Sequence, residues 1–246
     1  MRRYPPPSAI SASFGPGPMT PAVKWLLISN IAIFLITSFW PDPIRVLGLR
    51  PAEVWGGLHV WQVVTYMFLH ANLMHVGFNM LALWMFGVEL ERLWGTRFFA
   101  RYYAITGVGA GLCVMLVSVF STQLAGAMTI GASGAIFGLL MAYALYFPHR
   151  QILLFLLFPV SSRVFVAIVG AVNLYSAMTA TNAGVAYFAH LGGLAVGYLY
   201  LKSKTPRFHP IAEIKYRYLK WKINRVKRKF DVYAGGRADD VNRRIH

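Results

Sequence analysis

Three short stretches of this 246-residue chain hold residues able to do chemistry. The first is Gly131-Ala132-Ser133-Gly134, at the start of an apolar run. A serine hydroxyl becomes a nucleophile when a base lies beside it and little bulk surrounds the carbonyl it attacks. The small neighbours of Ser133 supply the second condition. If the run that follows is a helix, Ser133 sits at its N-terminus, where unpaired backbone N–H groups can stabilise an oxyanion. The plainer alternative is helix packing, since Gly134, Gly138 and Ala142 form a stripe of small residues at four-residue spacing.

The second stretch centres on His190, with Gly193 and Gly197 at i+3 and i+7. On a helix those glycines share its face and allow a second helix close to it. That would bring His190 toward the small face after Ser133. An imidazole without a carboxylate partner can still act as a base near neutral pH. An interfacial histidine bonded to a carbonyl is the alternative. The third stretch holds His70, His75 and Asn79. His75 and Asn79 are four residues apart and face the same way, and both can donate hydrogen bonds to a developing oxyanion. A metal site built from His70, His75 and His190 is a competing use of the same residues, disfavoured because no acidic second shell is visible.

Missing residues narrow the chemistry further. No Asp or Glu occurs between Glu91 and Glu213. An aspartyl protease needs paired carboxylates and is excluded. A transporter driven by a membrane carboxylate is disfavoured. The H-E-x-x-H pattern of zinc proteases is absent, and a Ser-His-Asp triad lacks an obvious third member. No cofactor or metal is implied.

The elements that must position these residues are apolar runs. Six spans are expected, at about 22–40, 64–88, 98–119, 132–147, 163–179 and 185–201, most near the roughly 20 residues that cross a bilayer. The run at 22–40 is longer than the apolar core of a signal peptide and lacks a small-residue cleavage site. An amphipathic loop over 41–61 carries Trp55 and Trp61, as segments resting at the membrane interface do. Glu89 to Gly95 reads as a short charged turn, 120–131 as an uncharged loop, and 149–162 as an ambiguous apolar stretch broken by Pro159. The only cysteine, Cys113, lies in an apolar run and reads as an inert buried thiol.

Composition agrees. The chain is 57% hydrophobic and 13% charged, against about a quarter charged in soluble domains. Its mean hydropathy is +0.51. The fold class is therefore an all-α polytopic membrane protein. The net charge of +16 does not point to nucleic acid, because 14 of the 24 Lys and Arg follow residue 201. With six spans both termini share a side. Placing that side in the cytoplasm puts 22 basic residues inside and two, Arg45 and Arg50, outside. The flanks, 1–21 and 203–246, read as a flexible cytoplasmic segment and a basic cytoplasmic tail. Within the tail, about 208–231 has the spacing of a basic amphipathic helix suited to anionic lipid.

Over roughly residues 22–202 the chain resembles the rhomboid intramembrane serine proteases. The resemblance rests on four motifs in the family's order: His70-Ala-Asn-Leu-Met-His75-Val-Gly-Phe-Asn79, Glu91-Arg-Leu-Trp-Gly95, Gly131-Ala-Ser133-Gly134-Ala-Ile-Phe137-Gly138, and Ala189-His190-Leu-Gly-Gly193 with Gly197. It implies a six-transmembrane-helix bundle in a bacterial inner (plasma) membrane. It implies a serine endopeptidase acting on single-span or polytopic membrane-protein substrates in the lipid bilayer, with Ser133 as nucleophile and His190 as base. His75, Asn79 and the Ser133 backbone N–H would form the oxyanion hole. Phe137 would pack on the His190 ring, Gly131 would sit beside the oxyanion site, and His70 would be structural near a water-filled entry. Gly134 and Gly193 would support the close helix approach. Phe78 would line a substrate route between the second and fifth spans, and the loop 180–187 would cap the site. One departure is Trp61-Gln62, where many members have Trp-Arg. The alternative from another class is a non-catalytic, rhomboid-like binder or chaperone of membrane helices, which loss of Ser133 or His190 would have favoured.

Overall fold

The computed structural model describes residues 16–154, 158–179 and 184–204, and positions 219, 221–223 and 225. The expected flexible segment 1–21 is described only from residue 16, and the basic tail falls almost wholly outside the described residues. The chain divides into two units, Met1–Tyr200 and Leu201–His246. The candidate site residues named above all lie in the first. In the second, the Arg225 guanidinium stacks over the Trp221 ring at 5.3 Å.

The elements follow in chain order. Helix α1 is Pro21–Phe39, followed by short helices α2 (Asp42–Leu47), α3 (Pro51–Gly57) and α4 (Gln62–Thr65) and a 3-10 turn, Tyr66–Phe68. Then come α5 (Leu73–Trp94), α6 (Thr96–Ser118), the short α7 (Thr122–Gly126) and α8 (Ser133–Tyr146). Strands β1 (Gln151–Leu154) and β2 (Phe158–Ser161) precede α9 (Ser162–Thr179) and α10 (Gly184–Lys204). Among the described residues four helices, α1, α5, α6 and α9, are long and apolar enough to cross a membrane, and α8 is a shorter apolar helix of 14 residues. Their outward faces are apolar: Trp25, Leu35 and Ile36 on α1, Leu112 and Leu116 on α6, and Val172, Tyr175 and Met178 on α9 are all exposed. Such a belt would be an aggregation surface in water, and it suits a helix lying in lipid.

Helix α8 occupies the centre. It packs on α5, α6 and α9, and Gly134, Ala135, Ile136, Gly138, Leu139, Ala142 and Tyr143 are buried around its circumference. Close approach comes from small residues. A Cβ on Gly138 would meet Thr106 of α6 at 2.5 Å, and one on Gly197 of α10 would lie 3.1 Å from the Gly138 Cα. Tyr102 of α6 donates its hydroxyl to the Gly138 carbonyl at 2.7 Å, in the same contact.

Two elements differ from expectation. The second span begins at Leu73 rather than about residue 64 and runs to Trp94. The Asn72 side chain accepts from the His75 N–H at 2.9 Å and starts the helix there. The supposed charged turn is its last helical turn, ended by Gly95 at φ +78°, a conformation L side chains rarely adopt. Within the ambiguous stretch 149–162, β1 and β2 pair antiparallel, with Gln151 opposite Ser161, so among the described residues the all-α expectation gives way here to a two-stranded sheet. Pro159 is tolerated because a two-stranded sheet has only edge strands.

The loop 41–61 is organised around Gln62, which is fully buried. Its side-chain oxygen accepts from the Arg50 N–H at 3.0 Å, and its amide nitrogen donates to Glu53 at 2.8 Å and to the Val46 carbonyl at 3.2 Å. The departure at Trp61-Gln62 is thus absorbed by a neutral amide that satisfies both backbone and carboxylate. The Gln62 donation, with the Arg50 guanidinium paired to the same group, holds the Glu53 carboxyl below its usual range.

The start of α1 is pinned from across the fold. Glu91, buried near the end of α5, accepts from the Ala22 and Val23 N–H groups at 2.9 Å each and from the Thr20 and Thr96 hydroxyls at 2.5 and 2.7 Å. It caps a helix that has no local side-chain cap, and a carboxylate is favoured at that positive helix end. Glu91→Ala should leave the part-buried Ala22 N–H and the buried Val23 N–H unpaired and lower stability by about 3 kcal/mol, with a buried unpaired group costing roughly 1–3 kcal/mol. Denaturation of the detergent-solubilised protein checks this, and an unchanged midpoint would remove Glu91 from this role.

Candidate active site

Ser133 is the first residue of α8, and its neighbours set its approach. Leu49 and Thr129 exchange backbone hydrogen bonds at 3.0 and 2.8 Å, and the Gly131 N–H donates to the Tyr66 carbonyl at 2.9 Å. Tyr66 is itself held by its hydroxyl on the Gly107 carbonyl at 2.7 Å. The segment leading into α8 is therefore tied to the loop 41–61 and to α6. Gly131 adopts φ +123°, and a Cβ there would lie 2.7 Å from His75 Nε2 and 3.7 Å from Ser133 Oγ. Glycine is required on both grounds.

His190 reaches Ser133 from α10. Their Nε2 and Oγ atoms are 2.7 Å apart. The approach depends on Gly193, where an added Cβ would sit 2.0 Å from the Gly134 carbonyl oxygen and 3.3 Å from the Phe137 Cβ. The Phe137 ring stacks on the His190 ring with centroids 4.2 Å apart and planes 9° from parallel. Tyr187 meets the imidazole edge-on at 6.5 Å.

The other nitrogen of His190 has a partner that the sequence reading lacked. Nδ1 lies 2.7 Å from Oδ1 of Asn173, on α9. A lone amide in an apolar helix was the available signal, since buried polar groups in membrane helices find partners. An amide rather than an acid stands in this third position.

His75 is held differently. Its Nδ1 accepts the Ala71 N–H at 3.3 Å, which leaves the Nε2–H as the donor beside Gly131. Asn79 is buried, and one of its amide N–H bonds goes to the His75 carbonyl at 2.8 Å. His70 is buried edge-on to His75, ring centroids 5.0 Å apart, and neither of its nitrogens meets a hydrogen-bonding partner among the described residues. Among those residues no group of three His, Cys, Asp or Glu could hold a metal ion. Phe78 is exposed on α5. Of the supposed cap over 180–187, residues 180–183 lie outside the described residues and the rest begins α10.

A helical membrane scaffold bringing a serine and a histidine together beneath a helix N-terminus defines a class, and comparison with known proteins gives it a family. The Rhomboid domain model matches residues 57–205. Rhomboid protein 1, mitochondrial, of Saccharomyces cerevisiae is 37% identical over 134 residues, covering 54% of this chain and 38% of that protein. Rhomboid-like protein 11, chloroplastic, of Arabidopsis thaliana is 31% identical over 196 residues, covering 75% and 66%. The putative rhomboid protease YdcA of Bacillus subtilis is 29% identical over 179 residues, covering 72% and 81%. The chain belongs to the rhomboid family and is an integral membrane protein. It spans well under half of the yeast relative's length. Two of the three relatives carry organelle names, so family membership by itself does not select a bacterial membrane.

The helix approach is testable on its own. Gly193→Ala would drive a methyl into the Gly134 backbone, which cannot rotate away, whereas Gly170→Ala meets only Leu194 at an ordinary 3.5 Å. Thermal unfolding in detergent should show Gly193→Ala destabilised by about 1–3 kcal/mol, the usual cost of overpacking, and Gly170→Ala near wild type. Equal midpoints would mean that α8 and α10 are not in tight contact.

Proposed function

We propose that the chain is an intramembrane serine endopeptidase that cuts membrane-protein substrates with a Ser133–His190 dyad. The observation that carries this is the 2.7 Å contact between Ser133 Oγ and His190 Nε2 at the N-terminus of a short apolar helix. In this reading the protein is a six-span domain over 22–202, with α8 and α10 counted beside the four longer spans, between a short N-terminal segment and a basic tail. The asymmetry of Lys and Arg supports cytoplasmic termini. A bacterial inner membrane and a tail on anionic lipid belong to the same reading.

The mechanism follows from the donors and acceptors present. His190 Nε2 removes the Ser133 hydroxyl proton as Oγ attacks the carbonyl carbon of a locally unwound substrate. The negative charge that develops on the carbonyl oxygen is met by the Ser133 N–H, the His75 Nε2–H and the second N–H of Asn79. The tetrahedral intermediate collapses, the C–N bond breaks, and His190 returns its proton to the leaving amine. Water then attacks the Ser133 ester, with His190 again taking the proton, and releases the second fragment. Helix-breaking residues near the cut should favour attack, because helical carbonyls are shielded. Turnover should be slow, since neutral donors and limited access act without a carboxylate.

The test is cleavage of a tagged single-span substrate by purified wild type, Ser133→Ala and His190→Ala. Each substitution should lower cleavage by at least about 10²–10⁴-fold, the range attached to a lost acid–base group. Equal cutting by all three would refute the dyad. Capture without cutting by all three would favour the helix-binding alternative.

A further inference from the structure

Helix α9 is mostly open to its surroundings. Its buried residues are Ser162, Val166 and Asn173, at i, i+4 and i+11, which fall on one helix face. Two of the three are polar. Ser162 is accounted for locally, its hydroxyl donating to the Phe147 carbonyl at 2.5 Å. Asn173 is not. An amide buried in an apolar helix needs partners for its oxygen and its nitrogen. The nitrogen is satisfied within α9, where Nδ2 donates to the Val169 carbonyl at 2.8 Å. A backbone carbonyl can only accept, so this bond settles which end of the amide is nitrogen. The atom 2.7 Å from His190 Nδ1 is therefore the oxygen.

An amide oxygen can only accept. It selects the imidazole tautomer with the proton on Nδ1, which leaves the Nε2 lone pair facing the Ser133 hydroxyl. We propose that Asn173 is a positioning residue that holds His190 in the one tautomer and ring orientation able to take the Ser133 proton. The inference rests on the dyad reading above. Asn173 does for His190 what a carboxylate does in a triad, without adding a charge to the membrane interior. It differs in one respect: a neutral amide stabilises the imidazolium less than a carboxylate would. Because the bond runs from α9 to α10, it exists only while those two helices are seated together, and the readiness of the base follows the position of α9.

Other groups facing the imidazole do not share this work. From α8 come Ser133 and the apolar ring of Phe137, and from its own helix the edge of Tyr187. His75 on α5 is the titratable neighbour across the site. Among the described residues no carboxylate, lysine or arginine bonds to His190.

The experiment uses the full chain in proteoliposomes with the tagged single-span substrate, comparing wild type, Asn173→Ala, Asn173→Asp and Ser133→Ala from about pH 3 to 9, wide enough to bracket the acid limb of a histidine base. Labelling of Ser133 by a fluorophosphonate and ¹⁵N spectra of the histidines are read in parallel. Asn173→Ala should lower kcat by about 10- to 100-fold, the lower part of the range for acid–base catalysis, with KM little changed and with loss of the Nδ1–H signature. Asn173→Asp should keep kcat within several-fold of wild type. Its carboxylate favours the imidazolium, so the base stays protonated to higher pH and the acid limb moves upward by about one unit. Wild-type kcat, limb and tautomer in Asn173→Ala would overturn the proposal. If Asn173→Ala does not fold, Asn173→Asp decides alone: a limb moved upward supports positioning and an unmoved limb refutes it. If wild type cleaves no faster than Ser133→Ala, the dyad reading has failed, and the ¹⁵N spectra of wild type and Asn173→Asp still show whether Asn173 sets the tautomer.

Discussion

The site depends on one steric fact, that α8 and α10 touch backbone to backbone. At Gly193 a single added carbon would sit 2.0 Å from the Gly134 carbonyl oxygen, and at Gly197 another would press on Gly138. In lipid there is no hydrophobic gain in bringing two apolar helices together, so close contact between small residues must supply the attraction. That contact sets the distance between the first residue of α8 and the imidazole of α10. It also brings the Phe137 ring flat against His190, because Phe137 lies one turn along from Ser133.

Around that contact the polar groups are arranged without charge. Two histidines are held by different partners at Nδ1, which set opposite tautomers in the proposed arrangement. His75 accepts a backbone N–H at Nδ1 and presents Nε2–H, and His190 gives its Nδ1–H to Asn173 and presents an Nε2 lone pair. One is thereby a donor and the other an acceptor, from the same side-chain type. An unpaired carboxylate would be costly at this depth, and the sequence offers none between Glu91 and Glu213. Carboxylates appear at the edges of the fold instead. Glu91 closes the start of α1 against α5, and Glu53 holds the loop that ends at Gln62 and feeds, through Tyr66, into the approach to Ser133.

Much of the scaffold was legible in the chain. The apolar runs locate α1, α6, α8 and α9 within one or two residues of their ends, because length and hydropathy are what a bilayer selects. The start of α5 was not legible, because residues 62–68 are as apolar as the helix that follows and only the Asn72 side chain marks the true beginning. The pairing of β1 with β2 was hidden for the opposite reason. Each strand is too short to show an alternating pattern, and the two are defined by pairing with each other.

The sequence by itself determined the class of the molecule, the helices, the small-residue stripes and the residue types that could form a nucleophile, a base and an oxyanion hole. Residue type and spacing carry that information directly. Tertiary structure decided which groups meet. It supplied the 2.7 Å distance at which the anticipated Ser133–His190 pair meets, the hydrogen-bonding partners of His75 and His190, and the contact of His190 with Asn173, which stands 17 positions before it on another helix. The reason is physical. A hydrogen bond between helices depends on their rotation and separation to within a few tenths of an ångström, and helical periodicity says which faces meet without fixing either to that precision.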